Sequence, residues 1–177
     1  MGIIMIVKLM GMAAIMAGAA GMGIFKAAEF GSKIDQLVEL ERMTEYFRGE
    51  ILLHHSTVAE ASADIAKQVA QPLGSFLKNV SDRINRRTGE DLRTIWETEG
   101  EAVMRELSMD RKEREEFLRL GEKLGYQGKD MQEKTLNRYQ MFLARKRSGL
   151  EDEQKEKMKL YRTLGVLGGL FLILLFV

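Results

Sequence analysis

Polar and apolar positions divide this chain of 177 residues into three blocks. Met1 to Phe25 is almost uniformly apolar, with Lys8 as its one charge, and Thr163 to Val177 is apolar with none. Between them, apolar residues recur three and four apart, the spacing that lines one face of an α-helix. Ile34, Leu37, Leu40, Phe47 and Ile51 predict a helix from near Lys26 to about Leu53. Val58, Ala61, Ile65, Ala66 and Val69 predict a second, with Ser56 as its N-cap. Pro72 suits the first turn of a third, which carries Leu73, Phe76, Leu77, Val80 and Ile84 and ends at Gly89. A fourth runs from Glu90 to Leu107 and buries Leu92, Ile95, Trp96, Val103 and Leu107. Asp110 with Glu113 has the form of a capping box and opens a fifth helix with Phe117, Leu118 and Leu124. Gly125 is placed to stop it in the left-handed conformation. From Asp130 the pattern resumes through Leu136, Tyr139 and Phe142, with a break or kink expected at Gly149. The last helix starts near Leu150 and can continue into the closing apolar run.

The expected architecture is all-α: a helical bundle over residues 27–162, flanked by membrane helices at 1–26 and 163–177. The two flanks differ in strength. Leu9 to Phe25 gives seventeen uncharged residues, and Lys8 can snorkel, so the first segment is long enough to span. A cleaved signal peptide is its rival, because Ala17-Gly18-Ala19 has cleavage-site spacing. Against this, Ile3, Ile4, Ile6 and Val7 precede the one basic residue. The closing fifteen residues reach only roughly 22 Å as a helix, against a hydrocarbon core of about 30 Å, unless Leu160 and Tyr161 extend the span. Small residues recur in both segments: Ala13, Ala17 and Gly21 every fourth position, and Gly165 and Gly169 as a GxxxG pair with Gly168 between. Such spacing lets helices approach closely in lipid, against each other or against partner helices, although Gly and Ala are also simply common there. Lys26 and Lys33 at one flank, and Lys155, Lys157, Lys159 and Arg162 at the other, place the bundle in the cytoplasm by the positive-inside tendency.

Charge narrows the function. Lys8 and Lys26 are the only charges among the first 26 residues, which leaves 25 basic against 26 acidic side chains in the middle block. No net basic field for nucleic acid results. There is no cysteine and one proline, and Leu, Met, Ala, Glu, Lys and Arg dominate, which favours helices and excludes thiol chemistry. His54 and His55 are the only histidines, and neighbours on a helix diverge by about 100°, which is poor metal geometry. Gly31-Ser32-Lys33 lacks the glycine framework of a phosphate loop, and no nucleophile elbow or HExxH occurs. Glu115 with Glu116, or Glu99 with Glu101, could in principle serve as acid and base, but nothing forms a shielded pocket around them. Arg83, Arg86 and Arg87, and Arg145, Lys146 and Arg147, are read as solvated faces, with phosphate or lipid headgroups as the alternative. Trp96 is expected in the core. No enzyme and no cofactor are implied.

Several stretches carry a resemblance. "YRTLGVLGGLFLILLFV" holds Leu164 to Gly169 directly before a hydrophobic tail; "LGEKLGYQGKDMQ" holds Gly121, Leu124, Gly125 and Gln132; and Glu50-Ile51, Glu60-Ala61, Pro72 and Trp96 follow in order. In these the chain resembles the stage III sporulation protein AB family over essentially its whole length. It departs at Leu53-His54, Ser56-Thr57 and Gly128. The resemblance implies a membrane component of the channel between mother cell and forespore, on the mother-cell side of the outer forespore membrane. It further implies a cytoplasmic domain similar to that of secretion-platform proteins, working beside a separate cytoplasmic ATPase and other membrane proteins of the channel complex. A homo-oligomer is compatible with it. The alternative is a membrane-tethered helical adaptor or regulatory binding module. Gly121 and Gly125 would allow close approach of two helices, as scaffold or as interface.

Overall fold

The computed structural model describes the backbone of residues 2–126 and 128–176, and side chains at 10, 11, 28, 30–125, 128–160 and 163. Among the described residues there are six α-helices and no strand: α1 (Gly2–Leu52), α2 (Val58–Ile65), α3 (Leu73–Asn85), α4 (Leu92–Glu106), α5 (Arg111–Tyr126) and α6 (Lys129–Phe176). The chain divides into two compact units. Asp35–Arg147 forms one; Met1–Ile34 together with Ser148–Val177 forms the other. Each outer helix therefore contributes to both units.

In the Asp35–Arg147 unit, α2 packs on α3, α3 on α4 and α4 on α5. The helical stripes converge as their spacing predicts. Leu37, Leu40, Phe47, Ile51, Ala61, Ile65, Val69, Leu73, Phe76, Leu77 and Val80 are buried, as are Ile95, Trp96, Val103, Leu107, Phe117, Leu124, Leu136 and Tyr139. The hydrophobic stripes also take in Met43, Met104, Met109, Leu120 and Leu143. Methionine's flexible thioether fills gaps that a branched side chain would not. Ile34, Ala66, Ile84, Leu92, Leu118 and Phe142 are only half-buried.

Several boundaries fall elsewhere than the sequence predicts. Thr57, not Ser56, caps α2: its hydroxyl accepts from the Glu60 N–H (3.3 Å), and the Glu60 carboxylate accepts from the Thr57 N–H (2.8 Å). Ser56 instead donates its hydroxyl to Glu50 (2.9 Å). Pro72 stands one residue before α3, where its carbonyl accepts the first helical bond from Phe76 and its missing N–H costs nothing. The third helix ends at Asn85, short of Gly89, and the loop that follows turns through Arg87 (φ 51°) and Gly89 (φ 85°). Asp91 caps α4 by accepting from the Thr94 N–H at 2.8 Å. The capping box of α5 forms as predicted, Asp110 accepting from the Glu113 N–H (2.9 Å) and Glu113 from the Asp110 N–H (2.8 Å). Gly125 does not stop α5; it lies inside the helix, facing α4. Nor does Gly149 break α6, which runs unbroken from Lys129 to Phe176.

In the second unit, the Lys157 ammonium lies 4.5 Å above the centre of the Phe30 ring, a cation–π contact. Among the described residues no helix is long and apolar enough to cross a membrane. The small residues Ala13, Ala17, Gly21, Gly165, Gly168 and Gly169 fall outside the residues whose side chains are described.

Candidate functional site

Several of the residues singled out by the resemblance fix a helix end or a helix–helix contact. Glu50, near the end of α1, accepts from Ser56 and lies 3.4 Å from His54 Nδ1, which ties the α1–α2 turn to its helix. Glu60 closes the cap of α2, and backbone and side-chain hydrogen bonds from Thr57 hold its carboxyl below the usual range. Ala61 is fully buried. Gln132 on α6 donates to the Leu124 carbonyl (2.8 Å), one of the acceptors left unpaired at the end of α5.

Trp96 and Gly121 make the tightest of these contacts. A Cβ at Gly121 would lie 2.1 Å from Trp96 Cγ, so α4 and α5 meet here only because position 121 has no side chain. Trp96 is also ringed by Phe76 (4.9 Å between centroids, edge-on), Phe117 (5.4 Å) and Phe47 (6.2 Å). Its indole N–H donates to the Phe117 carbonyl at 3.0 Å. Helices α1, α3, α4 and α5 therefore converge on one side chain. Gly125 performs a similar service one turn later, where an added Cβ would meet Leu92 Cβ at 3.1 Å. Of the two roles open to these glycines, scaffold and interface, the geometry displays the scaffold.

The basic clusters noted in the sequence are partly consumed internally. Arg83 binds Glu90 (2.5 Å) and Glu99 (2.9 Å), and these two carboxylates, Glu90 first, hold its guanidinium above its usual value. Lys146 pairs with Asp110 and Arg147 with Glu41 (3.0 Å). Among the carboxylate couples, Glu115 is engaged by Arg111 (2.9 Å), Glu116 by Arg119 (3.0 Å) and Glu99 by Arg83. The His55 ring instead meets Lys129 Nζ at 2.8 Å. Among the described residues no group of three or more His, Asp or Glu could hold a metal ion.

Among the described residues, a groove lies between α5 and α6. Leu120 and Tyr139 lie in it, with Glu116, Arg119, Lys123, Met131, Lys134 and Arg138 around them. Tyr139 is buried, and that burial, with the charges of Glu113 and Glu116, pushes its phenol far up, so it stays neutral. Of the residues singled out from the sequence, only Glu116 and Tyr139 line this groove. Its signal was legible in principle: Arg119/Lys123 and Lys134/Arg138 are like-charge pairs four apart on either side of one turn.

The fold and these contacts can be set beside known proteins. The family model described as stage III sporulation protein AB matches residues 8–177. Stage III sporulation protein AB of Bacillus subtilis (strain 168) is 29% identical over 168 residues, 95% of this chain and 98% of that protein. A solved structure of stage III sporulation protein AB matches with a TM-score of 0.64 at 26% identity, covering 71% of this chain and 98% of that one. With sequence model, relative and fold in agreement along most of its length, the chain belongs to the stage III sporulation protein AB family.

Proposed function

We propose that the chain is a non-enzymatic membrane component of the sporulation channel between mother cell and forespore, working as a secretion-platform-like subunit. The apolar ends seat in the outer forespore membrane from the mother-cell side. The Asp35–Arg147 unit stands in the cytoplasm and docks a separate ATPase, while the anchors contact other membrane proteins of the complex. The observation that carries this reading is the partition of the chain: two nearly chargeless runs at either end of a charge-balanced helical middle. It is supported by the continuity of α6, which makes the closing apolar run the end of a 48-residue helix rather than an isolated fifteen-residue piece. Leu160, 56% exposed, can then extend the apolar span, and Lys159 can reach toward headgroups. The grouping of both chain ends in one compact unit agrees with anchors that pack together.

Cysteine labelling tests the topology, because the chain has no native thiol. Thr88→Cys, in an exposed loop, is expected to react with an impermeant maleimide only after mother-cell membranes are opened. Labelling of intact cells at that position would overturn the cytoplasmic placement. Exchanging the closing run for an unrelated span separates platform from tether. A tether keeps its function after the exchange, whereas a platform that packs through Gly165 and Gly169 loses assembly with the channel's other membrane proteins.

A further inference from the structure

Many cations of the Asp35–Arg147 unit pair with the chain's own carboxylates, and Arg83 takes two of them. The α5–α6 groove sets four cations against few carboxylates. It gathers Arg119, Lys123, Lys134 and Arg138 around the single carboxylate of Glu116. Glu116 Oε1 serves both arginines, at 3.0 Å and 3.3 Å. Lys123 and Lys134 form no ion pair with any described residue. Both pairs of cations stand four residues apart on their helices, an arrangement that weakens a helix by like-charge repulsion. Glu116 ties Arg119 and Arg138 across the two helices, but no ion pair among the described residues accounts for Lys123 or Lys134, and burial does not account for the exposed Lys134. Beside them Met131 leaves 46% of its surface in solvent, an adaptable apolar side chain inside a basic rim.

We infer that this groove docks an acidic helical segment of a partner protein. Carboxylates four residues apart on the partner match the four-residue spacing of cations on both walls, and one apolar side chain between them covers Met131. The partner's carboxylates supply the neutralising charge that Glu116 alone does not. A nucleic-acid strand fits less well, because Tyr139, the groove's one aromatic residue, is only 3% exposed and offers no stacking face. The inference goes beyond the platform reading, since it names the chemistry of the docked segment whichever protein supplies it.

The test uses the full chain in nanodiscs of zwitterionic lipid and a fluorescein-labelled designed helix that carries glutamates four apart around a leucine. Fluorescence anisotropy is expected to show saturable binding that weakens with added salt. Replacing the peptide's glutamates with glutamine, or introducing K123E with K134E in the protein, is expected to weaken binding roughly tenfold or more. Melting curves check that the reversed variant stays folded, and K123Q with K134Q replaces it if it does not. Absence of saturable binding, equal binding of the glutamine peptide, or indifference to both lysine variants would each overturn the inference. So would tighter, lysine-dependent binding of phosphatidylglycerol vesicles or of a single-stranded oligonucleotide, which would give the groove to lipid or nucleic acid instead.

Discussion

Trp96 is the residue on which the packing turns, and its neighbours leave it no freedom. Three phenylalanine rings surround it, and its N–H is held by the Phe117 carbonyl. Gly121 completes the cage by presenting bare backbone where a Cβ would sit 2.1 Å from the indole. Gly121→Ala therefore overpacks a site that cannot relax by rotating one side chain, and is expected to cost about 1–3 kcal/mol. In the full chain in detergent this appears as a drop in Tm of roughly 2–4 °C per kcal/mol, followed by Trp96 fluorescence and circular dichroism. Gly125→Ala faces only Leu92, half-buried and at 3.1 Å, and is expected to lower Tm by less. Equal Tm values for the Gly121 variant and the parent would show that the two helices separate freely.

At the scale of elements, helix starts were more legible in the sequence than helix ends. Asp110 and Glu113 announce the box that opens α5, because both halves of the motif are local. At the start of α2 the sequence points to Ser56, but Glu50, six residues back, takes the Ser56 hydroxyl and Thr57 caps the helix instead. Gly125 and Gly149 misled for a different reason. A glycine's spacing cannot say whether it turns the chain or merely admits a neighbour, and for Gly125 the neighbour is Leu92 on another helix. The α5 box also carries a pH dependence. Burial raises the Asp110 carboxyl, but hydrogen bonds from Lys146 and from the backbone N–H of Glu113 outweigh it and leave it below its ordinary 3.8. A carboxylate depressed in the folded state stabilises above its unfolded pKa and loses that contribution as pH falls through the folded one. Stability assigned to Asp110 is thus present at neutral pH and lost from about pH 3.8 downward. Asp110→Asn keeps a capping acceptor but gives Lys146 no charge, so its Tm should start lower at pH 7 and fall less steeply in acid. Parallel Tm profiles for parent and variant would show that the pair contributes nothing.

For the whole molecule, the two compact units, Asp35–Arg147 and Met1–Ile34 with Ser148–Val177, do not share the bounds of the three sequence blocks, and the groove is marked in the sequence only by its like-charge pairs, not by their meeting. Arg119 and Lys123 meet Lys134 and Arg138 only because α5 and α6 lie side by side. Clusters consecutive in sequence, such as Arg145, Lys146 and Arg147, are conspicuous there, although two of those three pair within the chain. The division itself has a consequence for folding. Every buried apolar side chain among the described residues, from Leu37 to Leu143, belongs to the Asp35–Arg147 unit. The cross-links that join its outer helices also lie inside it: Glu41 with Arg147 at 3.0 Å and Glu45 with Gln140 at 3.0 Å. A unit that holds its own core and its own ties satisfies the physical criteria for folding alone. The solved relative, which corresponds to 71% of this chain, is of comparable extent. A fragment of residues 35–147 is therefore expected to be soluble without detergent and to melt in one cooperative step, with frayed turns only where α1 and α6 are cut. Near-ultraviolet circular dichroism from the cluster around Trp96 should match that of the full chain. Helical far-ultraviolet signal without the near-ultraviolet bands, together with binding of a hydrophobic dye, would mean that packing around Trp96 needs the apolar-ended unit, and that the chain folds as one body.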